Sequence, residues 1–192
     1  MSDDKNKGLS LEIANDSYIP LLLLVQDAFH KYNVSEKGEY SFKYEVANDP
    51  FSEEDFRNIV SRNECVILID GDVLVGYMLI DCCSKTQGLK EFTQSIEELI
   101  KEEVLDEATK LFPRFTEVLH PSLYEENFKE LRWQMLMYLV YHNREKYKGL
   151  CYTFFTNANT LIEKIGMGWK IAFDNGLYYY VIWEFNLLDN TQ

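Results

Sequence analysis

Two apolar runs joined by Asp70-Gly71-Asp72 constrain the fold more than any other part of this sequence. The first run covers residues 65–69 and the second covers residues 73–80, and both are rich in Val, Ile and Leu. Because Asp-Gly readily adopts the left-handed backbone of a tight turn, the pattern predicts a β-hairpin. Neither run alternates with polar residues, so we expect the hairpin to lie centrally in a sheet that is covered on both faces.

A first helix is predicted ahead of the hairpin. Asp16 and Ser17 offer an N-cap, and Pro20 suits the first turn because its missing N–H costs little there. Apolar residues then recur with helical spacing, which predicts one buried face. The residues of that face are Leu21, Leu24, Val25, Ala28, Phe29 and Tyr32.

A second, shorter helix is predicted to begin at a capping box. Ser52 is followed three residues later by Asp55, and Phe51 is placed to pack on Phe56 as a hydrophobic staple. Between the two helices, residues 40–46 alternate in a way that fits an extra strand or an ordered loop.

An acidic helical segment is predicted after the hairpin, around residues 86–111. Its apolar stripe consists of Phe92, Ile96, Leu99, Ile100, Val104, Ala108 and Leu111. Glutamates and aspartates cover the other side. The simplest interpretation is a solvated face, and the alternative is a docking surface for a basic partner.

The C-terminal half alternates between strands and helices. A long helix is predicted from Asn127, with Glu130 closing its capping box, through residues 144–146 to a stop at Gly149. The Asp174-Asn175-Gly176 turn predicts that the last two strands pair as a hairpin. The predicted strands are residues 115–120, 150–156, 169–173 and 178–185, with a short helix at residues 157–165.

Composition and charge limit the classes of function. The chain has 192 residues, of which 46% are hydrophobic, which fits a single domain spanning residues 1–192 with a flexible N-terminus at residues 1–8. Its net charge of −13 disfavours nucleic acid and suits a basic peptide or an amine-bearing small molecule. No apolar run is long enough to cross a membrane, and the four cysteines lack metal-ligand spacing, so we expect a cytoplasmic protein with reduced thiols and no metal.

Three local sequences then resemble the GNAT superfamily of N-acetyltransferases. The hairpin from Asp70 to Tyr77 is similar to that of the family. Residues 161–167 resemble its leucine-tyrosine-glutamate-lysine-leucine-glycine-phenylalanine segment. Leu119-His120-Pro121 resembles the end of its cofactor-binding strand. The resemblance implies an α/β fold of the α+β type. That fold has a mixed, mostly antiparallel central sheet flanked by helices, and the segment at residues 86–111 is then a helical insertion.

The same resemblance implies transfer of an acetyl or other acyl group from acetyl-CoA to an amine. In the family, strand backbone holds the pantetheine arm, and N–H groups at the next helix hold the pyrophosphate. The matching cofactor-binding residues are Val118, Leu119, His120, Asn127, Phe128, Lys129, Arg132 and Asn157. Glu117 or His120 is the candidate general base, although an outward-facing strand residue and a backbone-bonded histidine are the simpler interpretations.

The sequence departs from the family at two places. The turn between Ser122 and Glu130 contains no glycine, and Glu125 and Glu126 stand where the phosphates are expected. Ile162 occupies the position of the tyrosine that protonates the departing thiolate, and it has no proton to give. The alternatives are therefore an inactive GNAT-like regulatory protein or an acidic interaction module, and a homodimer fits either.

Overall fold

The computed structural model describes residues 8–35, 50–81, 101, 114–119, 128–155, 162, 165–166, 168–174 and 178–185. Within these ranges it contains three helices and seven strands. The strands are β1 (Leu9–Ile13), β2 (Cys65–Asp70), β3 (Val73–Asp81), β4 (Arg114–Leu119), β5 (Gly149–Phe155), β6 (Lys170–Asp174) and β7 (Tyr178–Glu184). The helices are α1 (Ile19–Ser35), α2 (Glu53–Ser61) and α3 (Phe128–Asn143). The predicted insertion, apart from Lys101, and the possible strand at residues 40–46 lie outside the described residues.

The chain divides into two compact units. Unit 1 contains β1, β2, the helices α1 to α3, β3 up to Ile80 and β4 from Thr116 onward. Unit 2 contains the first two residues of β4 together with β5, β6 and β7. The expected single domain stays a prediction.

The sheet of unit 1 has the order β1, β2, β3, β4. β1 and β2 pair antiparallel, and β2 pairs antiparallel with β3 through a two-residue turn that places Asp70 opposite Val73. Gly71 has a φ of 60°, whereas Asp72 does not have a positive φ, which matches a type II′ turn. The predicted hairpin is confirmed.

One residue of β3 has no partner in β2. Leu68 lies opposite Gly76, but Ile69 lies opposite Leu74, so Val75 is an extra residue in the strand. This arrangement is a β-bulge. It brings Leu74 onto the same face as Ile69, in the core shared with Tyr77 and Leu79.

Both faces of this sheet are covered, as the continuous apolar runs predict. One face packs on α1 and α2, with a core that includes Ile19, Leu22, Phe56, Ile59, Cys65, Ile67, Tyr77 and Val118. Residues on the other face of β2 are also buried, and α3 contacts β1 and β2. The apolar side chains that α3 buries are Leu131, Met135, Leu136, Leu139 and Val140.

The predicted buried face of α1 is wrong for three of its four described side chains. The fourth, Val25, is half-buried and packs against the core. Ile19 and Leu22 are buried, whereas Leu21 is 40% exposed, Leu24 is 63% exposed and Ala28 is also exposed. The side chains of Phe29 and Tyr32 lie outside the described residues. Apolar residues surround the start of this helix, so helical spacing alone does not fix which side turns inward.

Contacts beyond the helix set the orientation of α1. Gln26 uses its amide twice: its Nε2 donates to the carbonyl oxygen of Phe51 (3.0 Å), and its Oε1 accepts from the N–H of Phe51 (2.9 Å).

The N-cap also differs from the prediction, since Asn15 Oδ1 accepts from the N–H of Ser17 (3.0 Å) and begins a 3-10 turn, Asp16–Tyr18, before α1.

The start of α2 follows the prediction. Ser52 Oγ accepts from the N–H of Asp55 (3.2 Å), and Asp55 Oδ2 accepts from the N–H of Ser52 (2.9 Å). The rings of Phe51 and Phe56 lie 5.6 Å apart between centroids. Both the capping box and the hydrophobic staple are therefore present.

The end of α3 corrects the sequence analysis. The helix ends at Asn143, residues 144–146 form a turn, and Gly149 begins β5 instead of stopping the helix. Asn143 is wholly buried, and its Nδ2 donates to the carbonyl oxygens of Leu139 (2.9 Å) and Asn63 (3.1 Å). A side chain that bonds back into the last turn competes with continuation of the helix.

The sheet of unit 2 has the order β4, β5, β7, β6. β7 pairs antiparallel with both β5 and β6, which confirms the pairing predicted for the last two strands. Arg114 of β4 pairs with Cys151 of β5 in parallel. The strand pairing is thus mixed and mostly antiparallel, as expected.

Candidate functional site

The candidate site in unit 1 lies on β4 and at the start of α3. Of the predicted cofactor-binding residues, Val118 and Leu119 are in β4, and Phe128, Lys129 and Arg132 are in α3. His120, Asn127 and Asn157 lie outside the described residues. The predicted phosphate-binding turn between Ser122 and Glu130 is described only from Phe128 onward.

Val118 fixes one face of β4 to the core. Its side chain is 5% exposed and lies in the core cluster of α1 and α2. A ligand beside this residue therefore has only the backbone N–H and C=O to bind, which is the mode that the GNAT resemblance implies for the pantetheine arm.

The first turn of α3 carries one cation and one carboxylate toward solvent. Lys129 and Glu130 are both exposed, and Gln134 Nε2 donates to Glu130 Oε1 (3.2 Å) one turn further on. Arg132 is half-buried and takes part in an interaction of its own. The expected capping box between Asn127 and Glu130 stays a prediction, since Asn127 is not among the described residues.

The candidate bases remain predictions. Glu117 lies inside β4, next to Val118, but its side chain is outside the described set, as is all of His120. Ile162, which matches the family's tyrosine, has helical backbone and is 68% exposed. An aliphatic side chain at that position supplies no proton.

Two buried groups of unit 1 are unsuited to proton transfer. Cys65 and Tyr77 are both wholly buried, and burial raises the pKa of the thiol and of the phenol. Tyr77 also packs edge-on against Phe56, with ring centroids 5.7 Å apart. Both residues therefore serve the core, which confirms the prediction of a buried, reduced thiol for Cys65; Cys151 is likewise buried and free.

A polar group where α2 passes into β2, in which Glu64 and Asn143 are buried, was not predicted from the sequence. Asn63 has a φ of 58°, its N–H donates to Val60 O (2.9 Å), and the N–H of Glu64 donates to Ile59 O (3.2 Å). These two bonds form a Schellman motif that ends α2. An asparagine directly between a helix and a strand was the available signal for it.

Glu64 is 1% exposed despite its charge. Arg62 Nε donates to Glu64 Oε2 (2.6 Å), and the N–H of Ile80 donates to the Glu64 carbonyl (2.9 Å). With Asn143 bound to the carbonyl of Asn63, this group joins the end of α2, the start of β2 and the end of α3. The ion pair with Arg62 offsets the desolvation of the buried carboxylate, which alone is costly.

The described residues contain neither a metal-binding cluster nor a membrane-spanning helix. Among the residues that the structure describes, no group of histidine, cysteine, aspartate or glutamate side chains is arranged to hold a metal ion. Within the same part of the chain, none of the helices has the length and apolar character that a membrane crossing requires.

Comparison with protein-family models and with curated protein sequences finds no match. Solved structures do match. A GNAT-family acetyltransferase from Listeria monocytogenes is 8% identical, with a TM-score of 0.62 over 92% of this chain and 94% of that one. The protein yncA from Salmonella typhimurium, solved with its cofactor acetyl-CoA, is 8% identical with a TM-score of 0.56, covering 94% of this chain and 95% of its own.

A third match is the PaiA N-acetyltransferase from Thermoplasma acidophilum, in complex with coenzyme A. It is 9% identical, with a TM-score of 0.56 over 92% of this chain and 99% of that one. Identities this low carry information about architecture, and the coverage extends over nearly the whole of both chains. The protein therefore has the GNAT fold, the architecture of this family of N-acetyltransferases.

Proposed function

We propose that this protein transfers an acetyl or other acyl group from coenzyme A to an amine, on a small molecule or a protein. The observation that carries the proposal is the match to GNAT structures over more than nine-tenths of the chain, two of them with acetyl-CoA or coenzyme A bound. The parallel pairing of β4 with β5 at Arg114 and Cys151 also supports it.

In the proposed site, the backbone of β4 at Val118 and Leu119 holds the pantetheine arm. Burial of the Val118 side chain supports backbone binding there. Lys129 is exposed in the first turn of α3 and supplies a positive charge near a helix N-terminus, where anions are favoured. Glu117 or His120 removes a proton from the amine before it attacks the thioester.

We further propose that coenzyme A binds weakly. Glu125 and Glu126 lie in the segment before α3, and residues 122–130 contain no glycine that would let backbone N–H groups approach a pyrophosphate closely. Two carboxylates beside a pyrophosphate repel it. Lys129 offsets part of that repulsion.

The test is calorimetric titration of the full chain with acetyl-CoA, free coenzyme A and a 3′-dephosphorylated analogue. Saturable binding of acetyl-CoA supports the proposal, and release of free thiol on adding primary amines establishes transfer. Replacing Glu117 with Gln should then lower the transfer rate without changing acetyl-CoA affinity if Glu117 is the base. Absence of binding at millimolar acetyl-CoA contradicts the proposed function.

The weak-binding proposal has its own variant. Glu125→Gln with Glu126→Gln should tighten coenzyme A by about tenfold at low salt, and less at high salt because exposed charges are screened. A matched control, Glu53→Gln with Glu54→Gln, removes the same charge from exposed positions on α2. Equal tightening by both pairs would show a general charge effect and contradict local repulsion.

A further inference from the structure

The outward side of α1 presents an apolar surface that the described residues of unit 1 leave exposed. Pro20, Leu21, Leu24 and Ala28 are all exposed there, and we call them the α1 stripe. Leu24 is 63% exposed and Leu21 is 40% exposed. Single exposed leucines are ordinary, but neighbouring ones on successive turns of one helix form a patch, and patches mark interaction surfaces.

The exposure of the α1 stripe is a consequence of how the helix is held. Ile19 and Leu22 point into the core, and the two hydrogen bonds between Gln26 and Phe51 fix the same side of the helix against the start of α2. Turning the α1 stripe inward would break those bonds and expose Ile19 and Leu22. The stripe therefore stays outward in the folded protein.

Carboxylates predominate among the exposed charged side chains near this surface. On the 3-10 turn, α1 as far as Ala28 and α2, which contact one another, these side chains are Asp16, Asp27, Glu53, Glu54 and Arg57. Lys31 follows on α1, one turn after Asp27, and its side chain lies outside the described set. The guanidinium of Arg57 is in an ion pair with Glu53. Asp27 lies on the same side of α1 as Leu24, one turn later, so the α1 stripe has a negative border. We call its exposed carboxylates the acidic rim.

We propose that the α1 stripe binds a basic, apolar peptide segment of a partner protein. Apolar side chains of that segment cover Leu21 and Leu24, and its lysines or arginines face the acidic rim. The carboxylates attract a basic segment at long range, and its apolar side chains are then buried against the α1 stripe. The proposal does not depend on acetyl transfer.

Charge disfavours the other occupants. A second copy of this chain brings the same acidic rim and a net charge of −13, so like charges meet at the contact. An anionic membrane surface is repelled for the same reason. A basic segment is attracted by both the rim and the whole molecule.

The experiment uses the full chain and a fluorescent synthetic amphipathic peptide of leucine and lysine with helical spacing. Binding is followed by anisotropy at low and at physiological salt. Leu24→Gln should weaken binding by about tenfold, the size of effect expected when most of one leucine contact is lost. The matched control is Val73→Gln, which changes a side chain that is 61% exposed at the hairpin of the same unit and should leave affinity unchanged.

Two further probes test the charge argument. Asp27→Asn should weaken binding and reduce its salt dependence, and a peptide with glutamate in place of lysine should not bind. Circular dichroism and the unfolding midpoint check that each variant is folded, which is expected because Leu24, Asp27 and Val73 are all exposed.

Several outcomes overturn the proposal. One is equal binding by wild type and Leu24→Gln, or an equal loss in Val73→Gln. Another is equally tight binding of the glutamate peptide. Self-association of the protein alone in sedimentation, removed by Leu24→Gln, would assign the α1 stripe to a second copy, and Leu24-dependent binding to anionic lipid vesicles would assign it to a membrane surface.

Discussion

Asn63 holds the left-handed backbone position that ends α2, with a φ of 58°. Replacing it with Ala should lower the free energy of unfolding by about 1 kcal/mol, because a Cβ without a local polar side chain disfavours this conformation. Asn63→Gly should stay within about 0.5 kcal/mol of wild type, since the relief of steric strain offsets the greater freedom of glycine in the unfolded chain. Urea unfolding measures both.

Asn58 provides the matched control, since it is exposed within α2 and has helical backbone. Asn58→Ala should raise stability by about 0.5 kcal/mol, because alanine has the higher helix propensity. The same substitution thus has opposite signs at two positions five residues apart. An Asn63→Ala variant as stable as wild type, or more stable, would contradict the assignment of Asn63 as the helix terminator.

The buried thiol of Cys65 makes stability depend on alkaline pH. Burial raises its pKa above the ordinary 9.0, so above about pH 9 the unfolded chain loses a proton that the folded chain retains. The contribution of this thiol to stability is therefore fully present below that pH. Above it, the free energy of unfolding falls by about 1.4 kcal/mol per pH unit because of this group. Tyr77, whose pKa is also raised by burial, adds to the fall above about pH 10.

Cys65→Val isolates the contribution of the thiol. Urea unfolding between about pH 8 and about pH 10 should show a smaller decline for this variant than for wild type, whatever its stability at neutral pH. Parallel declines would mean that Cys65 titrates alike in the folded and unfolded chains. Slow reaction of the folded protein's Cys65 with a thiol reagent is a second check.

At the scale of elements, the entry to α2 depends on two neighbouring devices. Gln26→Ala removes both hydrogen bonds to Phe51 and should cost about 1–2 kcal/mol. Ser52→Ala removes the cap and should cost about 1 kcal/mol. Because both fix the same short backbone segment, the double variant should lose less than the sum.

Ser61→Ala is the control for this cycle. Ser61 is exposed in the last turn of α2 and its hydroxyl donates to Asn58 O (2.9 Å), away from the helix start. Ser61→Ala should lower the free energy of unfolding only slightly, and this decrease should be additive with the decrease caused by Gln26→Ala. Strict additivity of Gln26→Ala with Ser52→Ala would contradict a shared role at the helix entry.

Elements with distinct chemical signals could be predicted from sequence, and elements without them could not. The Asp-Gly turn placed the hairpin, and Ser52 with Asp55 placed the start of α2, because each signal fixes a local backbone conformation. The orientation of α1 could not be predicted, since apolar residues at 21–25 fit several buried faces and the choice is made by Gln26 and Phe51.

The candidate site could also be predicted from the sequence only in part. The position of β4 and the start of α3 followed from sequence, with shifts of one residue at the strand ends. The roles of Glu117 and His120 came from a family resemblance, and neither side chain is among those described. The polar group of Asn63, Glu64 and Asn143 was missed because Asn143 is 80 residues from Asn63 and meets it only in the fold.

At the scale of the whole molecule, the net charge of −13 opposes compaction. Adding sodium chloride from low to physiological concentration should raise the thermal midpoint by a few degrees, because screening weakens the repulsion. Sucrose at matched osmolality should not reproduce the salt dependence. A midpoint that falls with salt would show that specific ion pairs, such as Arg62 with Glu64, outweigh the net repulsion.

The bulge at Val75 gives the hairpin a point at which evolution can change the length of a strand. Removing this one residue leaves Leu68 opposite Gly76 and Ile69 opposite Leu74, the same neighbours as before. A lineage can therefore gain or lose a codon here without changing which side chains enter the core. If distant relatives are aligned with gaps allowed only in loops, their residues on one side of Gly76 are paired one position out of register. The sequence identity counted along that strand is then too low.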